Sequence, residues 1–356
     1  MIDRAFWNGR RVFVTGHTGF KGSWLALWLD SLGAHVSGLA LAPATTPALF
    51  DVAQVGRGIT STIADIRDQA ALARAMAAAD PEVIFHLAAQ PLVRASYREP
   101  VATFATNVMG TAHVLEGARA LPSLRAVVVI TTDKVYENRE WERGYTEVDT
   151  LGGHDPYSAS KAAAELVVAS YRRSFFSAPI DGRTVGVATA RAGNVIGGGD
   201  WAEDRLVPDL VRALSAGSAV SVRRPTAVRP WQHVIEPLSG YLRLAERLVA
   251  DPASHAEAWN FGPEPGDARR VAWIADRVVA QWGDGAQWTH AGGDHPHETG
   301  HLALDITKAK VRLDWHPRLD LATALDWTVH WYREYARGAD MRALSLEQLH
   351  AYASRP

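Results

Sequence analysis

The chain reads as an α/β protein: a doubly wound, Rossmann-type parallel sheet followed by a smaller mixed α/β substrate lobe. Three observations predict it. Short apolar runs alternate with stretches of helical periodicity through roughly the first half of the chain. The first run leads into a glycine-rich turn, Gly16-His17-Thr18-Gly19-Phe20-Lys21-Gly22, that opens a helix. A later run, Ala126-Val127-Val128-Val129-Ile130, ends on Thr131-Thr132-Asp133-Lys134. That puts hydroxyl, carboxyl and amine groups at the carboxyl end of a buried strand, where open α/β sheets place their ligands.

The elements follow in order. Arg11–Thr15 is the first strand. Residues 23–32 form a helix, with Leu25, Trp28, Leu29 and Leu32 on one face and Gly33 as its stop. Strands follow at His35–Ala40 and residues 59–64, then an alanine-rich helix over 68–79 and a strand over 82–87. Residues 101–120 read as one long helix and residues 157–176 as another, with a further strand over 184–191. Past residue 195 the texture changes. Helical runs at 206–216, 236–249, 271–282 and 321–335 are separated by Gly- and Pro-rich loops. This divides the chain into a dinucleotide-binding domain, 1–195, and a mainly substrate-binding lobe, 196–356, with the chain free to cross between them after 195.

Composition narrows the function. The 356 residues, 47% hydrophobic with net charge −2, suffice for a large core and leave no basic face for nucleic acid. The absence of cysteine excludes disulfides, thiol catalysis and Cys-ligated metal. No metal-ligand spacing is present; His290, His295, His297 and His301 read as a loop, and His86 and His233 as structural histidines in apolar runs. No apolar run is long enough to cross a bilayer, and the N-terminus lacks an apolar leader. A cytoplasmic protein is expected. The thirteen tryptophans read as packing and pocket walls.

The glycine turn lets a pyrophosphate approach backbone N–H groups at a helix N-terminus. The acidic residue that usually grips the adenosine ribose is missing, since the second strand ends Ser37-Gly38-Leu39-Ala40. NAD is therefore expected to bind weakly, or with little selectivity against NADP. His17 and Lys21 either favour a phosphate there, or Lys21 is a solvated first-turn side chain. Asp65, followed by Ile66, either accepts from the adenine amine or caps a helix.

The glycine loop, Leu87-Ala88-Ala89, the Thr132-Asp133 strand end and the Tyr157-Ser158-Ala159-Ser160-Lys161 pair resemble the extended short-chain dehydrogenase/reductase superfamily over nearly the whole chain. Within it, residues 16–24 (GHTGFKGSW), 88–94 (AAQPLVR), 191–201 (RAGNVIGGGDW) and 229–234 (RPWQHV) are similar to the CDP-glucose 4,6-dehydratases. The resemblance implies a lyase that holds NAD and converts CDP-D-glucose to CDP-4-dehydro-6-deoxy-D-glucose, feeding deoxysugars of bacterial surface polysaccharide such as lipopolysaccharide O-antigen. It implies cofactor contacts from Gly16, Thr18, Gly19, Phe20, Lys21, Gly22, Asp65, Ile66, Leu87, Ala88 and Ala89.

The chemistry then falls to a few groups. Tyr157 and Lys161 lie one turn apart on a helix, so both project from one face. The Lys161 ammonium favours the phenolate, which takes the sugar 4-OH proton, and it bonds the nicotinamide ribose. Thr132 holds the 4-oxygen. Asp133 protonates the departing 6-hydroxyl. Lys134 departs from the wider dehydratase pattern, in which Glu occupies that place as the C5 base; it acts either as that base or as a cation that stabilises the enolate. Gln90 and Arg94 line the sugar pocket. Asn194, Arg205 and Arg229 hold phosphate oxygens, Asn260 and His297 reach the nucleotide, and Trp201 or Trp231 walls the pocket. For Arg205 a place on a helix surface, and for Asn260 and His297 turn or cap roles, stay open. The two long helices form a homodimer's four-helix bundle, with a tetramer left open. A 4-epimerase or reductase of the same superfamily is the alternative, but neither needs an acid beside C6. A non-catalytic dinucleotide sensor has no need for Tyr157, Thr132 and Asp133 together.

Overall fold

The computed structural model describes residues 2–179, 182–283, 285–290 and 301–355. Seven strands form one sheet: β1 Arg11–Thr15, β2 His35–Ala40, β3 Ile59–Ile63, β4 Val83–His86, β5 Ala126–Ile130, β6 Gly186–Ala192 and β7 Ala258–Phe261. Their spatial order is β7-β6-β5-β4-β1-β2-β3, and every neighbouring pair is parallel. The direction of winding reverses between β1 and β4, which opens a crevice at the carboxyl ends of those strands. The glycine turn after β1 and the polar residues after β5 both face that crevice.

Nine longer helices complete the described fold: α1 Phe20–Ser31, α2 Gln69–Ala79, α3 Gly110–Arg119, α4 Pro156–Phe175, α5 Leu206–Ser215, α6 Ile235–Ala250, α7 Val271–Trp282, α8 Leu321–Ala336 and α9 Met341–Ala353. The pleat sends alternate residues of a strand to opposite faces. Val127 and Val129 of β5 join Leu72, Met76, Val114, Leu115 and Val168 under α2, α3 and α4. Ala126, Val128 and Ile130 join Trp24, Leu25, Leu238 and Leu242 under α1 and α6. Each fully buried side chain of this size contributes about 1.5–3 kcal/mol of transfer free energy.

Two differences from the sequence reading have physical causes. First, α1 is buried on every side from Gly22 to Leu29 rather than along one stripe. The C-terminal helix α9, absent from the sequence reading, covers its outer face: Arg342 pairs with Asp30 at 2.6 Å, and Trp28 meets Tyr352 edge-on. Second, the helix over 101–120 is continuous but not uniformly α. A short helix, Pro100–Phe104, passes through a π-helical turn, Ala105–Met109, into α3. The side chain of Asn107 is drawn sideways into hydrogen bonds there, and such wide turns mark functional positions in helices. β7 and α6 belong to the C-terminal half yet pack on the large sheet, the kind of crossing that the sequence reading allows after residue 195. Three two-stranded ribbons and the helices α5, α7 and α8 make up the remainder of the smaller lobe.

Candidate active site

The cofactor end begins at the glycine turn. Gly16 has φ +78°, and a Cβ there would stand 2.7 Å from the Ala88 amide nitrogen. A Cβ on Gly22 would stand 2.0 Å from the Gly16 carbonyl oxygen. The turn is therefore compressed against both β4 and the helix it opens. Gly19 caps α1 without a side-chain hydrogen bond, whereas Asp68, Asp155, Asp320 and Asp340 cap α2, α4, α8 and α9 with their carboxylates. The first-turn N–H groups of α1 thus have no side-chain cap, which fits a dinucleotide pyrophosphate. Ala88 is fixed by its N–H to the Thr15 hydroxyl.

Two expectations at this end change. His17 is fully buried, its Nε2 2.7 Å from the Ser61 hydroxyl and its ring pressed against Gly38 of β2. Burial lowers its pKa to about 4, so it is a neutral ring and offers no charge to a phosphate. Lys21 is not a solvated first-turn side chain. Its amine lies 6.0 Å from the centre of the buried Tyr241 ring and shares its surroundings with Arg205, Asp133, Lys161 and Lys134. Burial, then those cations, bring it down to about 7 against the pull of Asp133. Asp65 is engaged by Arg67 at 2.6 Å, which holds its carboxyl below the usual range.

The reacting end is built from β5 and α4. Thr132 donates to Asp133 Oδ1 at 2.9 Å, and Lys134 Nζ lies 3.4 Å from that same oxygen and from Asn194 Oδ1. Asp133 is 1% exposed, and its Oδ2 has no partner among the described residues. Helix α4 starts at Asp155, with Pro156 in its first turn, and so aims Tyr157 and Lys161 at this strand end. The Tyr157 phenol is pushed up by burial and drawn back by Lys134, by a hydrogen bond with Thr132 and by Arg205. Lys134 heads the groups that draw the phenol down, and Asp133 opposes them. Lys161 donates to the Ile130 carbonyl at 2.9 Å, and burial lowers its pKa to about 8.

A glycine cradle, a buried Tyr-Lys pair and an unpaired carboxylate oxygen in one crevice describe a dinucleotide enzyme acting on a hydroxylated substrate. A family model described as "NAD dependent epimerase/dehydratase family" matches residues 12–262. The chain belongs to the NAD-dependent epimerase/dehydratase family. It is 51% identical over 355 residues to the CDP-glucose 4,6-dehydratase of Salmonella typhimurium, covering 99% of each chain. It is 27% identical over 291 residues to an Escherichia coli dTDP-glucose 4,6-dehydratase, covering 76% of this chain and 78% of that one. Among solved structures, a Streptomyces venezuelae dTDP-glucose 4,6-dehydratase double mutant with NAD bound superposes with a TM-score of 0.76 at 25% identity, covering 92% and 98% of the two chains. The UDP-glucose 4-epimerase of Thermotoga maritima shares the fold with a TM-score of 0.77 at 22% identity, covering 91% and 99%. This epimerase/dehydratase-family protein uses NAD, and the open α1 N-terminus, the glycine cradle and Lys161 are the features that fit it.

The remaining candidates of this NAD-dependent family member separate into those brought to the crevice and those turned away. Arg205, beside Tyr157 and Lys21, is held by Asp200 at 2.8 Å. Arg94 pairs with Asp204 at 3.2 Å, and Arg223 reaches that same carboxylate oxygen at 3.0 Å. Asn194 meets Lys134. Arg229 bonds the Val228 carbonyl at 3.0 Å in its short strand. Gln90 is a correction: its amide bonds Leu92 and Thr103, so it braces the loop after β4. Asn260 is a second. It is fully buried in β7, bonded by Tyr136 and bonding the Tyr145 and Asp305 carbonyls, with no atom left for a nucleotide. Trp201 packs edge-on against Trp331, Tyr332 and Tyr335 as part of an aromatic cluster. His297, with His295 and Glu298, lies outside the described residues. His86 sits between Thr15 and Thr111, and burial holds it neutral, with a pKa of about 3.

Sequence reasoning overlooked Asn107 and Ser96. Asn107 accepts from the Gln90 N–H and donates to the Gln90 carbonyl and to Ser160 on α4. Ser96 accepts the Tyr157 backbone N–H at 3.1 Å. Both fasten the start of α4 to the loop after β4, and neither sits in a motif that marks it.

Proposed function

We propose that the protein converts CDP-D-glucose to CDP-4-dehydro-6-deoxy-D-glucose and water. The observation that carries this is Asp133: a buried carboxyl with one unpartnered oxygen, beside Lys134 and across from Tyr157, in a chain 51% identical to a CDP-glucose 4,6-dehydratase. Bound NAD supplies the acceptor for the C4 hydride and the donor that returns it to C6, so the reaction has no net redox change. The Tyr157 phenolate takes the sugar 4-OH proton while Thr132 bonds the 4-oxygen. The resulting 4-ketone makes the C5–H acidic. Lys134 either accepts that proton or, as a cation, steadies the enolate while another group accepts it. Asp133 gives a proton to the 6-hydroxyl, and the C6–O bond breaks with loss of water. With the hydride returned to C6 and a proton returned to C5, the proton held by Tyr157 passes to Asp133, so that both groups end as they began.

Arg205, with Arg94, Arg223 and Arg229 from the surrounding loops, forms the cationic side of the crevice and suits a diphosphate, since guanidinium groups match phosphate oxygens in geometry. The reaction takes place in the cytoplasm, where NAD and nucleotide sugars are held, and its product feeds deoxysugars of lipopolysaccharide O-antigen. A homodimer forms through residues 100–119 and α4, which leave Val101 81%, Met109 52% and Leu166 62% exposed. A 4-epimerase on this fold has no use for Asp133. The test is incubation with NAD and, in turn, CDP-, UDP-, GDP- and dTDP-hexoses, with products weighed by mass spectrometry. Loss of one water from CDP-glucose alone is the expected result. Epimerisation without mass change would overturn the proposal.

A further inference from the structure

The two halves of the reacting constellation sit on different elements. Tyr157 and Lys161 come from α4; Thr132 and Asp133 come from the end of β5. One buried side chain fastens the two together. Glu165, 4% exposed and one turn beyond Lys161, accepts from the Thr131 hydroxyl at 2.5 Å through Oε1. The same oxygen takes Arg191 Nε at 2.9 Å. Oε2 takes Arg191 Nη2 at 2.8 Å and the Thr189 hydroxyl at 2.7 Å. Lys161 donates to Ile130, the residue before Thr131. Two successive rungs therefore tie α4 to the strand end immediately before Thr132. Arg191 continues the brace through the Tyr136 hydroxyl, 2.8 Å away, to Asn260 of β7.

We propose that Glu165 is a positioning residue for the reaction: its clamped carboxylate sets α4, and with it Tyr157 and Lys161, against the end of β5. The charged groups around the pair support this. Lys161 is faced by Glu165 on its own helix, by Lys21 from α1 and by the neutral His86 from β4. Glu165 is the carboxylate that raises the Lys161 pKa against burial. Glu165 itself is faced by Arg191, Thr131 and Thr189 from β5 and β6, and by Arg172 on α4. Burial works against its charge, but Arg191 and the two hydroxyls win and hold the carboxyl below its ordinary range. A buried ion pair of this kind adds little stability over an apolar pair of similar shape, which leaves geometric and electrostatic placement as its contribution.

The role in turnover rests on the dehydratase reading; the charge on Lys161 does not. The test therefore has two arms. In the first, the pH dependence of Lys161 acylation by a small amine reagent is followed by peptide mass spectrometry, with no substrate present. In Glu165→Gln the titration midpoint of Lys161 is expected to fall by about one unit, a roughly tenfold change in equilibrium. In Glu165→Asp, which keeps the charge but shortens the reach, it is expected to stay in place; a merely structural role predicts that Asp is the worse replacement. In the second arm, kcat of Glu165→Gln is expected to drop about tenfold with KM little changed, and the alkaline limb of its pH profile to move to lower pH. A folded Glu165→Gln protein with the parent's midpoint and kcat overturns the proposal. If that variant does not fold because Arg191 is left buried and unpaired, Glu165→Gln with Arg191→Met removes both charges. The double variant is expected to fold and to show a lowered midpoint; the parent's midpoint in it overturns the proposal equally. Failure of the parent to dehydrate CDP-glucose would count against the substrate assignment and leave the first arm standing.

Discussion

Lys21, Lys134, Lys161 and Arg205 lie in one neighbourhood with Asp133, Asp200 holding Arg205 and Glu165 facing Lys161. Such a crowd of cations is unfavourable in a protein interior unless anions arrive to balance it. A sugar diphosphate and a developing enolate are anions of that kind. Lys134 has two separable effects here. Under the proposed mechanism it serves the C5 step, and it is the cation that most lowers the Tyr157 phenol. Lys134→Ala should therefore slow exchange of the C5 hydrogen with solvent by more than about tenfold. It should also raise the phenol's pKa, so the acid limb of kcat moves to higher pH, because the base must be deprotonated to act. Proton exchange at C5 followed by NMR, with a kcat–pH profile, checks both. Unchanged exchange would remove Lys134 from the C5 step. From the residues alone, Tyr157 and Lys161 were legible because a four-residue spacing on a helix defines a shared face. The inward course of Lys21 was not, because a first-turn lysine looks the same in sequence whether it meets water or Asp133.

The elements show why the glycine turn tolerates no side chain. A methyl group at Gly22 would meet the Gly16 carbonyl and the His17 Cα, both backbone atoms that cannot swing aside. Gly22→Ala is expected to lower stability by about 1–3 kcal/mol or more and to open the loop that faces the dinucleotide. Thermal unfolding with and without NAD measures this. The parent should gain Tm on adding NAD and the variant should not; an equal gain in both would refute the argument. The βα alternation, β1 to β6 and the start of α4 were readable from period and capping residues. The π-helical turn at Asn107 was not. Its cause is a set of hydrogen bonds to Gln90 and Ser160, 17 and 53 residues away, and helical periodicity contains no trace of such partners.

Across the molecule, the C-terminal segment closes back on the first helix. Glu236 of α6 accepts from the backbone N–H groups of Arg318 and Leu319 and from the Tyr352 hydroxyl. Burial raises its pKa to about 7. A carboxyl whose folded pKa is raised contributes stability below its unfolded value, near 4.5, and loses it as pH rises through about 7. Glu236→Gln removes that loss. The fall in Tm between pH 5 and pH 8, conditions chosen to bracket roughly that window, should be smaller in the variant than in the parent, read by calorimetry at each pH; identical falls would contradict it. At the same scale, the proposed dimer rests on the exposed Leu166 of α4. Leu166→Glu should convert a sedimenting dimer to monomer, and no change in sedimentation coefficient would reject that interface.

Sequence by itself determined the alternation of β1 to β6 with their helices, the glycine turn that opens α1, and the hydroxyl, carboxyl, phenol and amine that the fold brings to the end of β5. These follow from spacing within a few residues, which reports the face a side chain occupies. Only the tertiary structure decided which polar group meets which. It turned Asn260 into the brace reached by Tyr136 from 124 residues away, sent Lys21 inward, and set Glu165 between two strands. A hydrogen-bond partner is chosen by the packing of distant elements, and no local pattern encodes that choice.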